Sequence, residues 1–405
     1  MQLLSTIIKF LLFTSFAVWL NACGGGEGGG GTIDNTPPPP PPLEAVQNGV
    51  FKDSNVSGLD FESGLEIGIT DANGRFTCET GTDVMFSIGN VVVGQAECTT
   101  LIMPPSLVAS GAIDDLETLN IARFLQMLDE DGSAIDGLPK DGIEIASDVQ
   151  TLADSWTVDF STMVIETELS SILSDVDSNS STTATLPSAP DAQQHLEDSL
   201  ACAYAGAFAG SFSGTNSGAM QMLVGWAGPF QFWPRGAEWF GWDSKAEQGF
   251  AGGGFPIVEL SARPTIISGP GAAGPINSQY ITPDRITGTW DGGTFDVSRL
   301  GGDVGKYRFI GKFEGGFNEG LLTGGVIALH QDGNSVIGEA FETTEGIRFQ
   351  VTGSVSVDTI TMTATGGGET VNATATIMRD TNMEPTGATG TWPEGNINLV
   401  SCRLN

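Results

Sequence analysis

The feature that most constrains this chain is a repeat in its second half. Phe208-Ala209-Gly210-Ser211-Phe212-Ser213-Gly214 is matched by Phe309-Ile310-Gly311-Lys312-Phe313-Glu314-Gly315 at an offset of 101, and Thr287-Gly288-Thr289-Trp290 by Thr389-Gly390-Thr391-Trp392 at an offset of 102. Ser298-Arg299-Leu300 is echoed by Cys402-Arg403-Leu404. Matched ends at one offset indicate a duplicated unit of about 100 residues, residues 206–300 and 305–404, each opening on FxGxFxG and closing after TGTW. In a strand, alternate side chains share a face, so Phe208, Gly210, Phe212 and Gly214 point the same way. Bulky rings beside bare glycines suit a curved sheet whose backbones approach closely. Val371–Ile377 alternates in the same manner with smaller residues. The expectation is a closed or nearly closed antiparallel barrel or sandwich, or two packed half-barrels, over residues 191–405. A lipid-facing porin barrel fits poorly, since its strands would need about ten residues each and aromatic girdles.

The preceding part has a different character. Residues 43–190 hold 25 carboxylates against four bases, a far denser negative charge than in the remainder. Residues 178–190 have the composition of a linker. The runs Gly49–Phe51, Leu65–Ile69, Arg75–Cys78, Val84–Ile88 and Asn90–Val93 read as short strands, with Asp71-Ala72-Asn73-Gly74 as a tight turn. A helix is expected where Asp114 and Glu117 form a capping box and Leu116, Leu119, Phe124, Leu125 and Leu128 recur at helical spacing. A second is expected over Met163–Val176. The fold class is therefore mainly β: a small acidic β-module with helices (43–177), a linker (178–190), then the duplicated barrel or sandwich (191–405). The stretch Ile69–Phe76, in its 49–98 setting, resembles the turn of carboxypeptidase-regulatory or transthyretin-like β-sandwich modules.

Residues 1–22 carry one base, Lys9, and an apolar run, Phe10–Leu20, too short to cross a bilayer core of roughly 30 Å. The run ends in Leu20-Asn21-Ala22-Cys23, which resembles the lipobox of Gram-negative outer-membrane lipoproteins. That resemblance implies a cleaved signal peptide (1–22), palmitate-type acylation of Cys23 and a lipid anchor in the membrane. Gly24 in place of an aspartate implies the outer membrane; which face the body occupies stays open. Residues 23–42, glycine-rich and then six prolines, make a coil followed by a polyproline spacer. An oxidising compartment turns the other four cysteines into two disulfides, with three pairings possible. Cys78–Cys98 and Cys202–Cys402 are favoured because each keeps within one candidate domain. Zinc is the other use of four cysteines, but no CxxC pair occurs.

With 49 acids against 16 bases, the chain repels phosphate backbones, which excludes nucleic acid as a partner. Catalysis has little to stand on: His195 and His330 fall in different elements, and neither GxSxG nor SxxK occurs. Gly269–Gly274 satisfies GxGxxG, but without a surrounding βαβ unit it is a loop. Asp129, Asp131, Ser133 and Asp136 place hard oxygen donors at calcium-loop spacing, so calcium is the candidate cofactor. A solvated acidic turn is the alternative. Trp226, Trp233, Trp239 and Trp242 form an aromatic cluster absent from the second repeat, either a platform for a glycan or apolar ligand or a plug for the barrel. The functional expectation is a lipid-anchored cell-envelope protein acting as a binding or adhesion module. The alternatives are a scaffold lipoprotein that partners another envelope protein, and a carboxylate-dependent glycan-cleaving enzyme.

Overall fold

The computed structural model describes residues 45–405 except 131–141, 163–164, 183, 226–236, 245–247, 255–264, 268–275, 291, 303–304, 319–320, 382 and 405. The signal-like run, Cys23 and the tether lie outside the described residues.

The acidic module is built from β1 (Val46–Phe51), β2 (Val56–Ser57), β3 (Asp60–Ser63), β4 (Glu66–Ile69), β5 (Arg75–Glu79), β6 (Asp83–Ile88), β7 (Val91–Glu97) and β8 (Leu101–Ile102), then α1 (Leu116–Met127), β9 (Ile143–Glu144), α2 (Ser147–Ala153) and α3 (Ile165–Asn179). Its strands form sheets in the orders β5-β1-β8, β4-β3-β6-β7 and β2-β9. Alternation along β6 buries Val84, Phe86 and Ile88 against Phe51 and Phe76, and the three rings meet edge-on. The 71–74 turn forms because the Asp71 carboxylate accepts the N–H groups of Asn73 and Arg75, while Gly74 takes φ +69°. Cys78–Cys98 closes beside it, as favoured from the sequence. The cap of α1 is Asp115 rather than Asp114: its carboxylate accepts the N–H of Glu117, one residue closer than a capping box requires. Within the linker segment Ala184 lies in the module's core, and the Pro187 carbonyl accepts from Arg123.

A fourth helix, α4 (Ala189–Tyr204), leads into two eight-stranded meanders. The first is β10 (Gly206–Gly214), β11 (Gly218–Val224), β12 (Ala237–Asp243), β13 (Gln248–Gly254), β14 (Thr265–Ile267), β15 (Asn277–Thr282), β16 (Arg285–Trp290) and β17 (Gly293–Arg299). The second is β18 (Tyr307–Asn318), β19 (Leu321–Asp332), β20 (Ser335–Glu342), β21 (Arg348–Ser356), β22 (Thr359–Gly366), β23 (Glu369–Arg379), β24 (Pro385–Trp392) and β25 (Gly395–Arg403). The second closes into a barrel through β18–β25; the first pairs its own first and last strands in the same way, in the order β13-β12-β11-β10-β17-β16-β15-β14. Each repeat is thus a whole eight-stranded unit, and the alternative of two half-barrels is set aside.

The repeated motifs touch one another. FxGxFxG is the first strand and TGTW the end of the seventh. Trp290 stands edge-on to Phe212 at 5.4 Å and donates its indole N–H to the Ser213 carbonyl; Trp392 stands edge-on to Phe313 at 5.3 Å and donates to the Glu314 carbonyl. Gly210 and Gly311 have no room for a side chain, since a Cβ there would lie 2.0 Å from the Asp296 carbonyl oxygen and 1.9 Å from that of Asn398. The third echo is not structural. Arg299 lies opposite Phe208, but Ser401 lies opposite Phe309, so the register counterpart of Arg299 is Ser401 and not Arg403.

In the closed barrel, Phe349, Val351, Ile360, Met362, Ala375 and Ile377 point inward, and Gln350, Thr352, Thr361, Asn372 and Thr374 point outward to solvent. That is the inverse of a lipid-facing barrel. The units pack flank to flank through small and aliphatic residues: Ala207, Ala209 and Leu223 of the first against Ile310, Val326 and Ala328 of the second. Lys312 reaches across to pair with Glu238 and lies 5.3 Å over the Phe240 ring.

The carbonyls at the end of α4 have no partners within the helix. Arg299 from β17 donates to the Ala203 oxygen at 2.7 Å, Arg308 from β18 to those of Cys202 and Ala205 at 2.9 and 2.7 Å, and the Tyr280 hydroxyl to that of Tyr204 at 2.7 Å. Two buried guanidiniums at a helix C-terminus match its negative end. Cys202–Cys402 joins the same turn of α4 to β25, and Lys52 from the acidic module donates to the Leu404 carbonyl at 2.7 Å.

Candidate functional site

Duplication makes the two interiors comparable position by position. Pairing leads from Phe208 to Met222 to Trp239 in the first unit, and from Phe309 to Leu329 to Gly338 in the second. Trp239 is fully buried where the second unit has a glycine, and it packs among Phe208, Met222 and Tyr280, with the α4 ring of Tyr204 4.7 Å from Tyr280. At this register the first interior is occupied by an indole.

The second is not. A cavity of about 340 Å³ opens at the end of the closed barrel where the β20–β21, β22–β23 and β24–β25 connections lie. Its wall is Phe313, Ile347, Phe349, Met362, Val371 and Trp392, with Ala364 and Ala373 adding little bulk. Its rim carries Glu342, Glu345, Glu369 and Glu394, and none of its described lining residues is basic. The Glu342 carboxylate is held in place by the backbone N–H groups of Thr344 and Glu345 at 2.7 and 2.6 Å. An apolar cleft of a few hundred Å³ in a barrel mouth is a common setting for a small ligand.

A second pocket, about 290 Å³, lies where the acidic module, α4 and the opposite end of the closed barrel meet. Ser54 borders it with φ +60°, a conformation that costs a non-glycine residue energy. His195 Nε2 is 3.2 Å from the Ser54 hydroxyl and 3.5 Å from Asp53 Oδ1. A Ser-His-Asp relay needs the hydroxyl on one ring nitrogen and the carboxylate on the other. Here both sit on Nε2, so donating a proton to Asp53 blocks accepting one from Ser54. The cluster instead clamps the module to its neighbours: Ser54 N–H donates to the Ser199 hydroxyl at 2.9 Å, and Gln126 to Asp53 Oδ2 at 2.9 Å. Burial pushes the Asp53 carboxyl above its usual range, against the opposing pull of His195 and Gln126. On the barrel side, the Tyr307 hydroxyl donates to Glu384 at 2.6 Å, and burial with that carboxylate pushes it up to about 12.

Among the residues singled out from sequence, both disulfides are present, and Trp239 and Trp242 fall on opposite faces of β12, so they do not form one platform. Trp226 and Trp233 lie outside the described residues, as do Asp131, Ser133 and Asp136. Asp129 is buried, and its carboxylate accepts the Glu144 N–H at 3.0 Å. Among the described residues no group of three or more His, Cys, Asp or Glu side chains is placed to hold a metal ion. No described helix is long and apolar enough to cross a membrane. Sequence reasoning missed the second barrel's mouth. The signals pointing there were Phe313 and Trp392, read as parts of a repeat rather than as a wall.

Compared with protein-family models, curated proteins and solved structures, the chain matches none.

Proposed function

We propose that this chain is a lipid-anchored cell-envelope binding protein that holds a small, largely apolar ligand in the mouth of its second barrel. The observation that carries the reading is the cavity of about 340 Å³ lined by Phe313, Phe349 and Trp392, set against a first unit in which Trp239 is buried at the position of Gly338. The Leu20-Asn21-Ala22-Cys23 lipobox and the Gly/Pro tether support an anchor that presents this body near the outer membrane. The test uses the uncharged dye N-phenyl-1-naphthylamine and Ala373→Trp, which places an indole in the cavity. The parent protein is expected to bind and enhance the dye saturably, and Ala373→Trp to lose binding with an unchanged melting temperature. Equal dye binding by both would refute the site. For the anchor, metabolic labelling with palmitate should mark the parent and not Cys23→Ser.

The scaffold reading draws on a separate feature. Ile67 and Ile69, 73 and 56% exposed, share one face of the edge strand β4, and Leu65, 88% exposed, stands in the turn before it. Exposed aliphatic rows of this kind are costly unless a partner covers them.

A further inference from the structure

The geometry points to an organic cation, an apolar body carrying a quaternary or protonated amine, as the ligand class of the second barrel's mouth; this rests on the binding reading above. The cavity wall supplies three aromatic rings, Phe313, Phe349 and Trp392, and aliphatic side chains that exclude water. Its rim supplies four carboxylates, contributed by three different connections of the barrel: Glu342 and Glu345, Glu369, and Glu394. Aromatic faces attract a cation through their quadrupole, and the attraction grows as the cation sheds water. Carboxylates at the opening would hold the charged end while the apolar end fills the interior. An anion entering the same mouth would meet four like charges with no basic side chain among the described lining residues to offset them. A neutral ligand would gain the apolar wall alone.

Pairing leads from Phe212 to Gly218 to Asp243 and from Phe313 to Gly325 to Glu342, so an acid stands at the same register position in both units. In the first unit Asp243 is 5% exposed and the interior beneath is packed with Met220 and Trp239; in the second, Glu342 borders an opening. The second unit therefore combines an acidic position held in common with a cavity of its own.

The test is isothermal titration of the whole mature chain at pH 7 with three matched probes: 4-phenylbutyltrimethylammonium, 4-phenylbutan-1-ol and 4-phenylbutyrate. The cation is expected to bind at least about tenfold more tightly than the alcohol, and the carboxylate more weakly than either, with the cation's advantage shrinking as salt is raised. The double variant Glu369→Gln, Glu394→Gln should bring the cation towards the alcohol while leaving the alcohol's affinity unchanged. Ala373→Trp should abolish binding of all three. Equal affinity for cation and alcohol, with Ala373→Trp still abolishing both, would overturn the cation while leaving the cavity as a site. No binding of any probe would overturn the cavity reading itself.

Discussion

Lys52 shows how much one buried charge can shape this protein. Burial, with the Arg308 and Arg299 charges adding to it, lowers its amine from 10.5 to about 7. Between those values the unfolded chain holds a proton that the folded chain has released, so stability rises with pH through that window. The cost of burying the ammonium is present in full below about pH 7 and fades towards pH 10.5. Lys52→Met removes that cost and also the bond to the Leu404 carbonyl, worth about 1 kcal/mol. The second loss is independent of pH and the first is not. The stability of Lys52→Met relative to the parent should therefore fall by roughly 3 kcal/mol between pH 7 and pH 9.5, read from urea midpoints at the two pH values. A difference that stays constant across this range would mean that the amine keeps its ordinary affinity for protons. Nothing in the sequence marks this lysine. A lysine after Phe51 reads as a surface charge until β1, α4 and the last residues of the chain are brought together.

At the scale of elements, the repeated motifs act as a clip between strands one and seven of each unit, reaching over the edge of strand eight. Phe313 and Trp392 meet edge to face, and the indole N–H bonds the carbonyl of the next residue on β18. A double-mutant cycle with Phe313→Leu and Trp392→Phe should give a coupling energy of about 1 kcal/mol, and Phe212→Leu with Trp290→Phe a similar one. Additive losses would mean that the rings only fill space. The clip also explains what could be read in advance. Ring packing and the close backbone approach at Gly210 and Gly311 hold FxGxFxG and TGTW nearly fixed, so the repeat survives as matching letters. The strands between ask only for alternation, which many sequences satisfy, and there the copies have drifted until Trp239 stands where the other unit has Gly338. That drift is why the duplication was legible, whereas the number of strands per copy and the cavity were not. Within the tryptophan cluster, period-two alternation sends Trp239 inward, as the plug alternative has it, and Trp242 to the other face, although they are near neighbours in sequence.

In the described body, the acidic module and both repeat units converge on the C-terminal turn of α4. Strands from both barrel units cap its carbonyls, the Cys202–Cys402 bond fixes it to the last strand, and Lys52 brings in the acidic module. The two disulfides should therefore differ in reach as well as in strength. Cys78–Cys98 closes a span of 20 residues inside one module, whereas Cys202–Cys402 closes 200 residues that include the first repeat unit. In the chain-entropy account these are worth about 3 and about 5 kcal/mol, as upper values. Replacing Cys78 and Cys98 by serine should lower stability and speed amide hydrogen exchange within β5 to β7 alone. Replacing Cys202 and Cys402 should cost more and speed exchange together in the last turn of α4, in β25 and in β1, since all three lean on the same carbonyls and bond. Exchange confined to β25 in the second variant would show that the guanidinium caps hold the junction by themselves. The joint response would show that the disulfide and the caps form one cooperative joint.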